Sequence, residues 1–425
     1  MAKHVFTGFG FGPIQSGLFV KEAFTSGNFE RIVVAEIDER LVDAVRANNG
    51  SYYVNIAKSG GIETLRINNI ELLNPNAAND RKKLSDVLSQ STEIVTSLPS
   101  VNFYDSGGQN SAASLIAQGL KNSKAAATII YTTENNNHAA EILEGIAAEK
   151  TSGASSHRMQ FLNTVIGKMS RVVSDKAEIE ELDLKPITPT IDRAFLVEEF
   201  NKILVTRSRI SDFKPGIEVF IEKDDLLPFE EAKLYGHNAV HALLAYLGAV
   251  RGHKQMTLLK NDGRIMKIAG DAFLRESGAA LIKKYSNLGD DLFTESGYRH
   301  YAEDLLERMT NPFLADTIER AGRDVLRKLA YNDRIFGTMA LALEYGIEPK
   351  NMAAGAMAGL AVLMDNAEEN KIPLHLRPGR WQNLDNTGIE KIIKWVWGKK
   401  TGPYASQLIE CVQAAKPHLE ILLQN

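Results

Sequence analysis

From its fourth residue the chain alternates short β-branched runs with helix-length patterns. His4-Val5-Phe6-Thr7-Gly8-Phe9 reads as a strand, breaks at a glycine cluster and leads into Leu18-Phe19-Val20-Lys21-Glu22-Ala23-Phe24, whose apolar spacing is helical. Strand-like runs recur at 31–37, 93–98 and 127–132, with helical periodicity at 39–48, 110–120 and 137–150. Such alternation predicts a parallel, doubly wound sheet, because parallel neighbours need a crossover and the usual crossover is a helix. The proline-bearing stretch 182–190 reads as loop, whereas 197–205 and 217–221 still read as strands. Beyond about residue 225 strands nearly vanish, and long helical periodicities take over at 228–248, 271–285 and 297–308. The expectation is an α/β protein with a doubly wound N-terminal domain over residues 1–222 and a mostly α-helical C-terminal domain over residues 223–425.

Composition narrows the class. With 425 residues, 44% of them apolar and 24% charged, the chain can bury two cores, which excludes disordered, collagen-like and disulfide-stapled proteins. Lys and Arg number 49 against 53 Asp and Glu, so no positive field exists for gripping a phosphate backbone, and nucleic acid is not an expected partner. One cysteine, Cys411, permits neither an internal disulfide nor a thiolate metal cluster. The opening MAKHVFTGFG has no signal-peptide run, and no apolar stretch approaches the roughly 20 residues that span a bilayer. A cytoplasmic protein without a membrane partner is expected, working as a monomer or small homo-oligomer on a small-molecule substrate.

Gly10-Phe11-Gly12-Pro13-Ile14-Gln15-Ser16-Gly17 stands between the first strand and first helix, where a Rossmann phosphate loop stands. That loop needs a tight turn and bare backbone N–H groups at a helix N-terminus facing a pyrophosphate. Gly10 and Gly12 supply both, and Pro13, Ile14 and Gln15 complete the entry into the helix. Gln15 replaces the usual third glycine, which is expected to loosen the helix-to-strand contact. A glycine-rich turn at a strand end is also commonly only a turn. Glu36 closes the second strand, where a dinucleotide fold places the acid that accepts from the adenosine ribose and repels a 2′-phosphate, so NAD is the expected cofactor. Asp38 is the rival acid, and Glu36, Asp38 and Glu39 equally fit a solvated strand end entering a helix.

Lys233, Asn238 and His241 form a K-x4-N-x2-H array opening the second domain. On an α-helix Asn238 lies about 140° and His241 about 80° around from Lys233, so the three share one broad face. A lysine that loses solvent drops its pKa toward neutrality and can take a hydroxyl proton, with asparagine steadying the oxygen and histidine holding a substrate hydroxyl. A surface lysine, a buried asparagine tied to backbone and a satisfied histidine fit the same spacing. His237 and His241 lack the glutamate of an H-E-x-x-H site, so no metal is expected. None of the 12 tyrosines is followed four positions later by lysine, which removes the short-chain dehydrogenase base. What remains is metal-independent, lysine-assisted hydride transfer between NAD and an alcohol carbon.

The segment Lys233-Leu234-Tyr235-Gly236-His237-Asn238-Ala239-Val240-His241-Ala242 resembles the catalytic helix of the polyol-specific long-chain dehydrogenases, the mannitol dehydrogenase family. Glu276-Ser277-Gly278-Ala279, Asn311-Pro312-Phe313-Leu314 and Glu319-Arg320-Ala321-Gly322-Arg323 extend the resemblance, as does Thr133-Glu134-Asn135-Asn136 in the first domain, so it covers nearly the whole chain. It implies a Rossmann-like first domain, a helical second domain and a cleft between them holding the active site. It also implies Lys233 as general base, Asn135 and Asn238 as an oxyanion-type pair, His241, Arg320 and Lys328 as substrate-binding groups, and Glu230 beside a proton path. The implied reaction interconverts a sugar alcohol phosphate and a ketose phosphate, with a free polyol or hexuronate as the alternative. Arg320, Arg323 and Arg327 recur at helical spacing and are expected on one face toward an anionic substrate end. One departure is Ile166-Gly167-Lys168-Met169, where the family reads V-D-R-I.

Overall fold

The computed structural model describes residues 4–151 and 157–423, and packing divides the chain between Leu227 and Pro228 into two compact units. In the first, the apolar runs become β1 (His4–Phe9), β2 (Phe29–Ala35), β3 (Tyr52–Ala57), β4 (Ile62–Ile67), β5 (Ile70–Leu73), β6 (Glu93–Thr96), β7 (Thr128–Thr132), β8 (Met159–Ile166), β9 (Ser170–Val173), β10 (Ala194–Glu198), β11 (Ile203–Thr206) and β12 (Phe220–Lys223). Between them lie α1 (Lys21–Ser26), α2 (Glu39–Ala47), α3 (Ala78–Leu88), α4 (Ala112–Lys121), α5 (Ala139–Thr151) and α6 (Lys176–Glu181).

The large sheet runs β12-β11-β8-β7-β6-β1-β2-β5. From β8 to β5 every pairing is parallel, and the order is the 3-2-1-4-5-6 of a doubly wound dinucleotide fold. β11 adds antiparallel to β8, and β12 parallel to β11. Alternation along β1 sends Val5 and Phe9 to a core with Leu84, Leu88, Leu115 and Leu143 of α3 to α5, and Phe6 to a core with Leu18, Phe19, Val42 and Val45. The second core is closed by a smaller sheet, β4-β3-β10-β9. The run 197–205 does not form one strand: β10 belongs to the small sheet and β11 to the large one, because residues 199–202 carry the chain across.

The second unit is built from α7 (Leu227–Glu231), α8 (Ala239–Val250), α9 (Gly263–Asp271), α10 (Ala279–Lys284), α11 (Glu295–Met309), α12 (Ile318–Gly322), α13 (Val325–Lys328), α14 (Arg334–Glu344), α15 (Lys350–Asp365), α16 (Asn386–Trp397) and α17 (Ala405–Leu423). α8 and α15 pack closely because α15 is rich in small residues. A Cβ on Gly355 would stand 2.9 Å from Leu243, and one on Gly359 would stand 3.0 Å from Tyr246. The stretches read as single helices at 228–248 and 271–285 are interrupted by π turns at Ala232–Asn238 and Ala272–Gly278. Such turns are rare and concentrate at functional sites. No helix among the described residues is long and apolar enough to cross a membrane.

Candidate active site

The loop after β1 lies at the strand where sheet order reverses, the usual ligand position of an open α/β sheet. Gly10 adopts φ +82°, and a Cβ there would stand 2.6 Å from the Ser97 carbonyl, so no other residue fits. A Cβ on Gly12 would meet nothing within 4 Å. The fold leaves open space in front of Gly12, a cradle that a ligand backbone can enter. Pro13 starts the helical segment, and the N–H groups of Gly12 and Ile14 carry no hydrogen bond among the described residues. These features fit a pyrophosphate at a helix N-terminus.

Gln15 does not loosen the helix. Fully buried at the start of a π turn (Gln15–Val20), it projects over β1, where its Nε2 donates to the Val95 carbonyl at 3.4 Å. A Cβ on Gly8 would stand 1.8 Å from that Nε2, so Gly8 makes room for the side chain that replaced the third glycine. Close packing passes to Gly17, whose Cβ would stand 2.6 Å from Val197 of β10.

Glu36 accepts from the Phe11 N–H at 2.7 Å, from Ile37 N–H at 2.7 Å and from Asp38 N–H at 2.8 Å, which fixes its carboxylate beside the glycine loop. Asp38 is used otherwise. It caps α2 through the Leu41 N–H at 3.2 Å and pairs with Arg193 at 2.8 Å, an ion pair that lowers its pKa. Asn135 lies exposed on the loop after β7. Its neighbour Glu134, absent from the sequence reading as a functional group, is buried and accepts from Thr96, Tyr104, the Leu98 N–H and the Thr133 N–H, tying that loop to the end of β6. The departure from V-D-R-I has a structural use: Lys168 is buried and donates to the carbonyls of Glu198 and Phe200, locking β8 to the turn between β10 and β11.

In the second unit Lys233 and Asn238 are the second and last residues of a π turn. Closure by i→i+5 hydrogen bonds brings residue i+5 over residue i, so the pair stands closer than the about 140° of an α-helical wheel. The turn is held from two sides. Thr338 of α14 donates to the Tyr235 carbonyl at 3.1 Å, and a Cβ on Gly337 would stand 2.7 Å from the Tyr235 ring. On the other side a Cβ on Gly236 would stand 2.7 Å from the Tyr298 hydroxyl and 2.9 Å from Phe273, which belongs to the other π turn. Burial, then the charge of Arg334, bring the Lys233 ammonium down to about 8, with Glu230 pulling the other way. His237 is buried and held well below its ordinary pKa by lost solvent and by the charges of His241, Arg308, Lys233 and Arg334.

His241 Nε2 lies 3.2 Å from one oxygen of Asp316, and Arg320 Nε donates to the other at 2.6 Å. Asp316 is 2% exposed. Burial would raise its pKa, but His241 and Arg320 outweigh that and keep it well below the usual carboxylate range. Ala315 just before it has φ +47°, a strained conformation for alanine that re-aims the chain at this carboxylate. Asp316 was not singled out from the sequence, although its position four before Arg320 was the available signal. Lys328 is buried with Nζ on the Ala321 carbonyl at 2.6 Å, and burial followed by the charges of Arg334 and Arg327 lowers its pKa to about 7. The expected arginine face at 320, 323 and 327 does not form. α12 ends at Gly322, and Asp324 at φ +59° turns the chain before α13, leaving Arg323 and Arg327 exposed. Among the described residues no three His, Cys, Asp or Glu side chains are grouped as metal ligands.

The sequence pattern of the mannitol dehydrogenase C-terminal domain matches residues 225–394. The match spans most of the second unit, and the chain is similar there to the mannitol dehydrogenase family. Relatives named mannitol-1-phosphate 5-dehydrogenase align along most of the chain. One from Buchnera aphidicola subsp. Acyrthosiphon pisum (strain Tuc7) is 29% identical over 359 residues, covering 82% of this chain and 84% of that protein. Another from Brevibacillus brevis is 26% identical over 385 residues, covering 90% and 92%. Among solved structures, a D-sorbitol dehydrogenase in substrate-free form superposes with a TM-score of 0.75 at 14% identity, covering 98% of this chain and 93% of that one. Pseudomonas fluorescens mannitol 2-dehydrogenase, solved with NAD and D-mannitol, gives 0.67 at 15% identity, covering 100% and 94%. At these identities the structures support the fold, and the resemblance read from the sequence to the mannitol dehydrogenase family holds.

Proposed function

We propose that the protein is an NAD-dependent oxidoreductase acting on CH–OH groups, which interconverts a sugar alcohol phosphate and a ketose phosphate of the mannitol 1-phosphate and fructose 6-phosphate type. The observation that carries the reading is Lys233, held in a π turn with Asn238 and with its pKa lowered to about 8, a base poised near working pH. The relatives named mannitol-1-phosphate 5-dehydrogenase support the phosphorylated substrate.

NAD, when bound, supplies the hydride acceptor. Gly10, Gly12, Pro13, Ile14 and Gln15 form its phosphate cradle, and Glu36 accepts from the adenosine ribose and disfavours a 2′-phosphate. Neutral Lys233 takes the proton of the substrate hydroxyl, and Asn238 donates to that oxygen as its charge changes. His241, oriented through Nε2 by Asp316, keeps Nδ1 for a neighbouring hydroxyl. Lys328 holds the substrate's far end, and Arg320 contributes to substrate binding beside it through Asp316 and His241. The same chemistry on a free polyol or hexuronate is the second reading, favoured by Arg320 being already engaged with Asp316.

A screen of polyols, polyol phosphates and hexuronates for NADH formation tests the proposal. Mannitol 1-phosphate should be preferred, and turnover should survive thorough chelation. Equal efficiency on free mannitol would replace the phosphate reading with the free-polyol one, and a chelator-sensitive, zinc-restored enzyme would remove the lysine mechanism.

A further inference from the structure

Arg334, first residue of α14, was not singled out among the functional groups, yet its charge bears on more of the site than any other. It acts on Lys233, Lys328, His237 and Tyr246. Asp333 Oδ1 accepts from its Nε at 2.8 Å and from its backbone N–H at 2.7 Å, which fixes the guanidinium plane. Its two Nη groups carry no hydrogen bond among the described residues, and its side chain is only 15% exposed. Lys328 is buried with a backbone carbonyl as its hydrogen-bond partner. The Tyr246 hydroxyl is buried without a partner. Exposed Arg327 pairs with both Asp324 and Asp333, so Asp333 is shared between two guanidinium groups.

Cations that outnumber their anions in a half-dry place cost stability, because each disfavours the charged form of the next, and here Asp324 and Asp333 serve Arg327, Lys328 and Arg334. A bound dianion reverses that cost. Arg320 sits differently: its partner Asp316 is shared with His241, which it helps to orient, whereas Asp333 is shared between Arg334 and a second guanidinium, Arg327. We propose that Arg334, with Lys328, binds the anionic end of the substrate, so that Arg334 sets the preference for a phosphorylated over a neutral polyol, while Arg320 chiefly positions His241 through Asp316. The proposal rests on the polyol phosphate reading above and names the group that enforces it. The outer N–H groups of a guanidinium fixed at Nε form a fork suited to two oxygens of a phosphate.

The test compares wild type, Arg334→Gln, Arg334→Lys and Arg320→Gln by KM and kcat for mannitol 1-phosphate and for mannitol, and by thermal shift with inorganic phosphate in the absence of substrate. Arg334→Gln should raise KM for the phosphate ester by on the order of 10–100-fold more than KM for mannitol and abolish the phosphate-induced shift, while Arg334→Lys retains part of both. Arg320→Gln should lower kcat on both substrates alike. An unchanged KM ratio and an intact phosphate shift in Arg334→Gln would overturn the assignment, even if wild type prefers mannitol 1-phosphate. A wild type that ignores phosphorylated polyols, yet loses phosphate binding in Arg334→Gln, would overturn the functional reading and leave the subsite standing.

Discussion

Both the turn after β1 and the turn before α8 break the α-helical ladder, at Gln15–Val20 and at Ala232–Asn238, but they serve different ends. The first turn clears backbone. Gln15 withdraws into the space left by Gly8, Gly17 closes on β10, and the peptide at Gly12 is left bare before open space. The second turn aligns side chains, stacking Asn238 on Lys233 between Thr338 and Tyr298. A backbone site needs only the right absences, and these are supplied within a few residues or one strand away. A side-chain site needs its charges tuned, and the tuning groups Arg334, Asp316 and Thr338 lie about 80–105 positions along the chain.

If that contrast is right, the largest effect comes from the second turn. Lys233→Ala should lower kcat by roughly 10²–10⁴ while NADH binding, read by fluorescence quenching, stays near wild type. Loss of NADH binding would point to a folding defect instead. Next, Gly8→Ala should drive its methyl into Gln15, costing about 1–3 kcal/mol and weakening NADH binding. Gly8→Ala with Gln15→Ala should recover most of both losses, and no recovery would disprove the compensation. Smaller again, Thr338→Val should remove the hydroxyl shared between the carbonyls of Tyr235 and Arg334 at a cost of about 1 kcal/mol and lower kcat several-fold, with Thr338→Ser near wild type. An unchanged kcat in the valine variant would show that the π turn needs no clamp. The mildest change is Glu36→Ser, which should narrow the preference for NAD over NADP, and comparable efficiency with both cofactors in wild type would contradict that role.

These differences also decide what could be read in advance. Four strands of the six-stranded parallel core, β1, β2, β6 and β7, were legible because strands buried on both faces and crossover helices impose their own periodicities, and Gly10 and Gly12 because turn chemistry is local, whereas β5 and β8 were not read as strands. The small sheet was not, since β3, β9 and β10 meet only through tertiary pairing. Lys233, Asn238 and His241 stood out by spacing, but an α-helical wheel misplaces them where the helix is π. The arginine series at 320, 323 and 327 looked like a face because spacing carries no sign of the left-handed residue at Asp324 that breaks it. Asp316 reads as a balancing charge and Arg334 as one more basic residue of the segment 320–334 until the fold brings Asp316 against His241 and the charge of Arg334 to bear on Lys233 and Lys328.

The pH dependence of kcat for polyol oxidation tests the base most directly. Lys233 must be neutral to accept the proton, so kcat should rise as pH climbs through about 8, and the reverse reduction, which needs the protonated ammonium, should fall through the same range. In Lys233→Ala that ionisation should vanish from the residual activity. A profile with the same ionisation in wild type and Lys233→Ala would contradict the assignment of the base.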